Sequence, residues 1–534
     1  MIQALVLLPV IILAVFALLL VVLGFSVKNP RTLWGVALAG LLASLVVNVD
    51  LMGLSWSRAI GLTLWPVPGA GESGALADLR LDVSAFALFF NLVFLMVALL
   101  TIIASRSYLK REEPHQAEYY GLLFLALTGM MFVAASTDLF VLYLSFELSS
   151  LSTFALVAFR KKDKRATEAS LKFFVIGAVS SAIILFGISI VFLVAGAVNP
   201  SGATTSLAGL RGLLQSSAIQ AKGLEPTFIV GVIFLLAGFG FKVATVPFHQ
   251  WAPDVYEGAP TTISVFLAAG SKKVGVAAMF QVFLVALLAA QVDWQLALAG
   301  LAIATMTVGN VLAIPQRNIK RMLAYSSIAQ AGYILISIIT ASVAVQYNPA
   351  DLITKPALDV ASYGLAGGLF HVFTHALMKG GAFLVVAAAS VLFIGEDLDG
   401  WKGLGKRSPF LAFAMTAFLL SLAGIPPFGG FFSKFVLFSG AVFASGSTIG
   451  YVGNPWFLWL AVAGVLNSAL SLYYYARVIR YMYILEPTDA RKVVAPASLN
   501  IAIAIALVGI IVTGIFANPL IGYMQGAARG FLLP

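Results

Sequence analysis

Long apolar runs separated by short polar punctuation dominate this chain from end to end. A bilayer core of about 30 Å is crossed by roughly 20 apolar residues in a helix. Runs of that length predict helices near 2–26, 33–53, 84–104, 118–136, 138–159, 167–197, 226–248, 260–290, 295–314, 320–341, 360–394, 409–445, 455–482 and 497–520. The expected fold class is therefore all-α, a polytopic membrane protein of about 14 transmembrane helices. The first run reads as a membrane helix rather than a signal peptide. No Lys or Arg precedes Lys28, the run is longer than a signal core, and no clear small-residue cleavage site ends it. No soluble domain or low-complexity tract interrupts the pattern, and the loops at 54–83 and 198–225 are the longest.

Composition sharpens this picture. Of 534 residues, 61% are hydrophobic and 10% charged, whereas a soluble domain carries roughly 25% charged residues to wet its surface. The net charge of +10 would suggest nucleic acid on a soluble protein, but here the basic residues sit in short loops. Loops after odd-numbered helices hold 20 of them, including Lys28, Arg106, Lys110, Arg111 and the cluster Arg160 to Arg165. Loops after even-numbered helices and the C-terminus hold 6, Arg58 and Arg80 among them. The positive-inside rule places the odd loops in the cytoplasm and both termini outside, with lipid rather than nucleic acid as the partner. There is no cysteine, which excludes disulfides, thiol catalysis and thiolate-bound metal or iron–sulfur centres on this chain.

The remaining 6 basic residues fall inside the predicted helices: Lys172, Lys242, Lys272, Lys273, Lys379 and Lys434. Glu147 is the acid placed deepest, near mid-membrane, while Asp138, Asp254 and Glu257 lie at helix ends or in the adjoining loop. An ionisable group at the bilayer centre costs about 3 kcal/mol on insertion scales, so such a set points to proton or ion movement. A structural Glu–Lys pair with snorkelling lysines is the alternative. Glu147 and Lys172 lie on consecutive helices, where antiparallel neighbours bring them within reach. Burial favours a neutral amine and a nearby carboxylate favours the ammonium, so moving Glu147 toward or away from Lys172 would switch that lysine. Lys242 stands five residues before Pro247, and Lys434 seven after Pro427 in a stretch loosened by Gly429 and Gly430. Broken backbone at membrane depth is tolerated only beside protein or a hydrated cavity, and paired interrupted helices mark inverted-repeat transporters; two ordinary proline kinks are the plainer account. His371, His375 and Lys379 recur every four residues and share one helix face. Two His at this spacing can hold zinc, but no third ligand is in evidence, so no metal is expected. A proton relay fits better, with Tyr325, Ser326, Ser327 and Gln330 of the preceding helix placed to hold waters beside it.

At these same residues the sequence resembles a known family, the antiporter-like membrane subunits of complex I, related membrane hydrogenases and Mrp-type cation/proton antiporters. LYLSFELSSLSTFALVAF is similar to the family's fifth helix with its glutamate at Glu147, and EASLKFFVIGAVSSAIILFG to the sixth with Lys172. FKVATVPFHQWAPDVYEGAP resembles the broken seventh helix with Lys242. SVFLAAGSKKVG resembles the eighth, where Lys272 is the better match for the connecting lysine and Lys273 stands beside it. AYSSIAQAGY and FHVFTHALMKGGAFLVV resemble the tenth and eleventh, and SLAGIPPFGGFFSKF the broken twelfth with Lys434 as terminal proton site. ELSSLSTFALVAF and PDVYEGAP are most like the N-type branch. Lys at 434 rather than Glu argues against the M-type, and the absence of a long lateral extension after the fourteenth helix argues against the L-type.

The resemblance implies two inverted five-helix repeats, helices 4–8 and 9–13, containing broken helices 7 and 12. The expected division is three N-terminal helices over 1–117, repeats over 118–290 and 291–490, and a C-terminal helix within 491–534. It implies a proton path through Glu147, Lys172, Lys242, Lys272, His371, His375, Lys379 and Lys434. It also implies that this chain binds no cofactor, with a quinone-type acceptor and flavin and iron–sulfur centres carried by other subunits of a redox-driven pump. The expected partners are sister membrane subunits, and the expected site is the cell (inner) membrane, a thylakoid membrane being the alternative. Two rival functions remain at this stage: an Mrp-type cation/proton antiporter subunit, and a membrane scaffold whose charges only fix helix packing. The electron donor, whether NADH, ferredoxin or a reduced deazaflavin, is chosen by other chains.

Overall fold

The computed structural model describes residues 7–27, 29–59, 80–109, 115–199, 204–216, 219, 222–348, 351–449, 451–487 and 491–533. Lys28, Lys110, Arg111 and most of the loop at 54–83 lie outside the described residues, as do the first residues of the run at 2–26 and the side chain of Arg58. Helices account for the described architecture, and among the described residues the only strand-like features are isolated bridges such as Asp138 with Ser206.

The membrane helices run in the order read from the apolar pattern. They are α1 (Leu8–Ser26), α2 (Pro30–Ala59), α3 (Ala85–Tyr108), α4 (Gln116–Ala135), α5 (Leu139–Val157), α6 (Lys164–Val198), α7a (Glu225–Val243) with α7b (Trp251–Gly258), and α8 (Thr261–Ala286). Then follow α9 (Gln291–Ala313), α10 (Ile319–Ala341), α11 (Lys355–Val391), α12a (Pro409–Ala423) with α12b (Gly429–Ser445), α13 (Phe457–Tyr483) and α14 (Ala497–Ile515). Among the described residues 13 helices are individually long and apolar enough to cross a membrane, and the two short halves of α12 supply the remaining crossing. Local chemistry sets their starts. Asp138, Asp163 and Asn318 accept hydrogen bonds from first-turn amides of α5, α6 and α10, and Pro occupies the first turn of α1, α7a, α11 and α12a.

Two of the predicted runs are interrupted, at the helices 7 and 12 that the resemblance implied to be broken. The run at 226–248 ends at Val243, where Ala244 turns left-handed (φ 60°) and a cis Val246–Pro247 bond follows; helix resumes only at Trp251. The run at 409–445 is split at Gly424 (φ 87°), ahead of a cis Pro426–Pro427 bond. Both breaks close in the same way: the Thr245 amide reaches back to the Gly240 carbonyl at 2.8 Å, and the Ile425 amide to the Leu420 carbonyl at 3.0 Å. The apolar count reads through both breaks because side chains on either side remain apolar. Unforeseen from the pattern is a final helix, α15 (Ala517–Leu532), which packs against α11 and α3 through a Phe86–Phe531 ring stack at 4.0 Å and an Arg529–Asp359 pair.

The helices are not equally enclosed. α8, α10 and α11 are surrounded on nearly all sides, whereas α1, α2, α6 and α13 present exposed apolar side chains such as Leu18, Val22, Leu171, Phe174, Trp459 and Leu466. An apolar exterior of this kind faces lipid or other membrane chains. The centre is held by close backbone approach. A Cβ on Gly129 of α4 would lie 2.6 Å from the Ser149 amide nitrogen of α5, and a Cβ on Gly309 of α9 would lie 2.6 Å from the Ala329 amide nitrogen of α10. The same small-residue device thus joins α4 to α5 and α9 to α10. Because the obstructing atoms are backbone, Gly129→Ala or Gly309→Ala is expected to cost about 1–3 kcal/mol. That cost is read as a lowered Tm of the purified assembly. Gly300→Ala on an open face of α9, where a Cβ meets nothing within 4 Å, is expected not to lower it.

Candidate functional site

On α5, Glu147 and Ser150 stand three residues apart and share a face. Lys242, one residue before the end of α7a, donates to Ser150 Oγ at 2.8 Å and lies over the Phe146 ring at 5.1 Å. Glu147 accepts a hydrogen bond from the Ser181 hydroxyl of α6. The lysine that reaches the Glu147 face of α5 is accordingly Lys242, through Ser150.

Lys172 is elsewhere, and the expected Glu147–Lys172 contact is absent. Its Nζ pairs with Glu168 at 2.8 Å and with Asp254 of α7b at 2.9 Å, and its side chain is 43% exposed. The reason is helical geometry. Ser181 and Lys172 are nine residues apart, which at about 100° per residue puts them on opposite sides of α6. A helix that turns Ser181 inward to Glu147 must turn Lys172 outward. There Lys172 joins an ionic strip at one end of the bundle. Asp254 also accepts from Arg321 of α10 at 2.8 Å, Arg321 reaches Glu257 at 2.8 Å, and buried Lys320 pairs with Glu396 at 2.8 Å. Asn318 ties Glu257 to Glu396. In the adjoining loop, Lys402 and Arg317 hold the Asp399 carboxyl below the usual carboxylate range. Asp254 and Glu257, read as helix-end acids, therefore clamp α7b to α6 and α10.

The other lysines converge on the most enclosed helices. α8 packs closely on α7a at Gly275, where a Cβ would lie 3.1 Å from Lys242 Cβ. Three residues before Gly275, Lys272 donates to the Ser327 carbonyl of α10 at 3.2 Å and approaches the Tyr256 ring at 5.8 Å. The π-turn Leu267–Ser271 precedes it directly, a feature often found at functional sites. On α11 the expected shared face is real: the His371 and His375 rings lie 6.1 Å apart. His371 contacts Ser433 Oγ of α12b at 3.0 Å and Gln330 Oε1 of α10 at 2.9 Å. Lys379 donates to Ser326 Oγ at 2.7 Å, and Ser326 is joined to Tyr475 of α13. Lys434 donates to the Leu422 carbonyl at the end of α12a at 2.7 Å and to Ser468 Oγ at 2.8 Å. Gln330 donates to the same Leu422 carbonyl at 3.1 Å, so one carbonyl links the His371 side to Lys434.

Lys242, Lys272, Lys273, His371, His375, Lys379 and Lys434 are all at most 3% exposed, and among the described residues no carboxylate pairs with any of them within 4 Å. No group of three or more metal-ligating residues occurs among the described residues. His375 Nε2, Ser149 Oγ and Thr245 Oγ1 are buried without a hydrogen-bond partner. Buried polar atoms of this kind are ordinarily satisfied by ordered water. Sequence reasoning located the ionisable groups but missed Ser150, Ser181, Ser433 and Ser468. Ser150 carried a usable signal, its spacing from Glu147; Ser181, Ser433 and Ser468 are hydroxyls on apolar helices with no such spacing.

The chain matches the family model described as the transmembrane region of NADH:quinone oxidoreductase and Mrp antiporter subunits, over residues 136–355 and 356–466. It is 41% identical to F(420)H(2) dehydrogenase subunit N of Methanosarcina mazei, with 97% of each chain aligned. It is 38% identical to NADH-quinone oxidoreductase subunit N of Trichlorobacter lovleyi, covering 91% of this chain and 94% of that one. In the solved structure of respiratory complex I from Thermus thermophilus with bound aureothin, one chain superposes with a TM-score of 0.72 at 26% identity. That alignment covers 96% of this chain and 98% of its counterpart.

The contact pattern around Glu147 is testable by a double-substitution cycle. Glu147→Ala and Ser181→Ala touch one interaction, so their Tm losses are expected to fall short of adding, whereas those of Glu147→Ala and Lys172→Ala are expected to add.

Proposed function

We propose, on the premise that the chain belongs to the NADH:quinone oxidoreductase/Mrp antiporter membrane family, that it is an N-type proton-translocating subunit of a complex I-like oxidoreductase. In this reading quinone reduction proceeds on other subunits, which carry the flavin and iron–sulfur centres. This chain moves protons and transfers no electrons. It sits among sister membrane subunits in the cell membrane, with both termini outside. Its working parts are two inverted five-helix units over 118–290 and 291–490.

The observation that carries the proposal is the row of solvent-shielded nitrogen groups, from Lys242 through Lys272, Lys379, His375 and His371 to Lys434, that crosses both broken helices without a paired carboxylate. A charge with no counter-charge is costly to keep in a low-dielectric interior, so a proton placed on one of these groups is under constant pressure to move on. The broken helices supply the other half of the mechanism. Lys434 donates to the last carbonyls of α12a, Leu422 and Ala423, a helix end that favours a cation. Losing the proton surrenders that interaction, which couples protonation to the geometry of the break. In the first unit Glu147 acts on Lys242 rather than on Lys172. Approach of the carboxylate holds the proton on Lys242, and withdrawal releases it along the row toward Lys272. Lys172 takes a place in the ionic strip with Asp254 and Arg321, at the end of the bundle where the basic loops gather.

The test is proton translocation by the assembled complex in sealed vesicles, with redox turnover measured in parallel. Lys242→Met and Lys434→Met are each expected to lower translocation by at least about tenfold while the complex still assembles. Wild-type translocation by both variants would leave only a scaffold role. Copurification separates the remaining alternative: a flavin or iron–sulfur arm accompanies a pump subunit, whereas an Mrp-type antiporter subunit brings only other membrane chains.

A further inference from the structure

The eighth helix carries two adjacent lysines, and the structure sends them to different neighbours. Successive residues on a helix diverge by about 100°, so both cannot serve one partner. Lys272 points to the Ser327 carbonyl of α10 and toward Tyr256 of α7b. Lys273, fully buried, has its Nζ 2.5 Å from His375 Nδ1 of α11 and 2.9 Å from the Ala268 carbonyl. Ala268 lies inside the π-turn Leu267–Ser271, so the irregular turn that precedes the lysines also supplies the acceptor that seats the second one.

We propose that Lys273 is the residue that exchanges protons with His375, and so carries them from the eighth helix to the eleventh, while Lys272 serves the Lys242 side. The inference rests on the proton-translocating reading above and adds to it a residue and a transfer step. At 2.5 Å only one hydrogen fits between the two nitrogens. Either Lys273, as ammonium or neutral amine, donates to a bare Nδ1, or an Nδ1–H donates to a neutral amine. The pair therefore holds one proton in common, and transfer needs only its passage along an existing hydrogen bond. The balance is simple: the Nζ–H bond breaks and the Nδ1–H bond forms, giving neutral Lys273 and an imidazolium. The Nε2–H bond then breaks and the proton passes to a water hydrogen-bonded at Nε2, the partner that a buried polar atom without a protein contact ordinarily has, leaving His375 as its Nδ1–H tautomer. His375 Nε2 is buried and bonded to no protein atom, which leaves it free to release that proton. No other buried lysine competes for the ring in hydrogen-bonding geometry: Lys379 is engaged by Ser326 and the Leu323 carbonyl, and Lys434 by Leu422, Ala423 and Ser468.

The experiment compares Lys273→Met, Lys273→Arg and Lys273→His with Lys242→Met in the assembled complex in sealed vesicles, measuring protons moved per electron. Lys273→Met and Lys273→Arg are both expected to lose at least about tenfold, because a guanidinium keeps the charge and donors but does not give up its proton. Lys273→His is expected to recover part of the activity. A bracing role predicts instead that Lys273→Arg behaves as wild type, and that result would overturn the proposal. If Lys273→Met does not assemble, Lys273→Arg decides alone. Wild-type translocation by Lys273→Arg with loss in Lys242→Met refutes the Lys273 step and leaves the function standing, whereas wild-type translocation by Lys242→Met and Lys434→Met alike refutes the function itself.

Discussion

The structure depends on keeping lysine side chains in an interior that offers them no counter-ion. Lys242, Lys272, Lys273, Lys379 and Lys434 are almost fully removed from solvent, and what receives their protons is not carboxylate but hydroxyl, carbonyl and imidazole. A buried ion pair would hold each charge in place, and breaking it would be costly. Neutral acceptors satisfy the geometry of an ammonium while binding its charge weakly. In the proposed function, such weakly held groups would pass protons along.

The helix breaks and the irregular turns follow from the same constraint. A regular membrane helix bonds its carbonyls to its own amides, so a buried lysine that donates to one, as Lys272 and Lys379 do on α10, must share it. Interrupting α12 frees the Leu422 and Ala423 carbonyls for Lys434, and in α8 the carbonyl that Lys273 donates to, that of Ala268, lies in the π-turn. In α7 the break is used differently: Trp251 Nε1 closes onto the Phe241 carbonyl, while Lys242 turns to Ser150 of α5. The two breaks share a cap geometry, yet their lysines sit on opposite sides of the interruption and find different acceptors.

Charge also has a second, separate use. The strip of Lys172, Asp254, Arg321, Glu257, Lys320 and Glu396 consists of true ion pairs, most of them partly exposed. It ties α6, α7b, α10 and the loop after α11 at one end of the bundle, where water and neighbouring charges make such pairs cheap to form. Individually these are modest interactions; as a network they fix α7b, and thereby the break beside Lys242.

Much of this was legible without coordinates. The number and order of the membrane helices are set by apolar run length against bilayer thickness. The shared face of His371, His375 and Lys379 follows from a four-residue period, and the positions of Lys242 and Lys434 beside prolines mark the two interruptions. These are properties of a single segment, and the chain carries them locally. What tertiary structure alone decided is which partner each buried group meets. Glu147 and Lys172 are on neighbouring helices, but the rotation of α6 is set by its whole packed surface, and bringing Ser181 inward sends Lys172 to Asp254, 82 residues away. The lysine doublet divides between Ser327 and His375 for a like reason, since the aim of each side chain depends on a π-turn and on where α10 and α11 lie. Helix rotation and relative placement arise from contacts spread over many distant residues, and no local pattern encodes them.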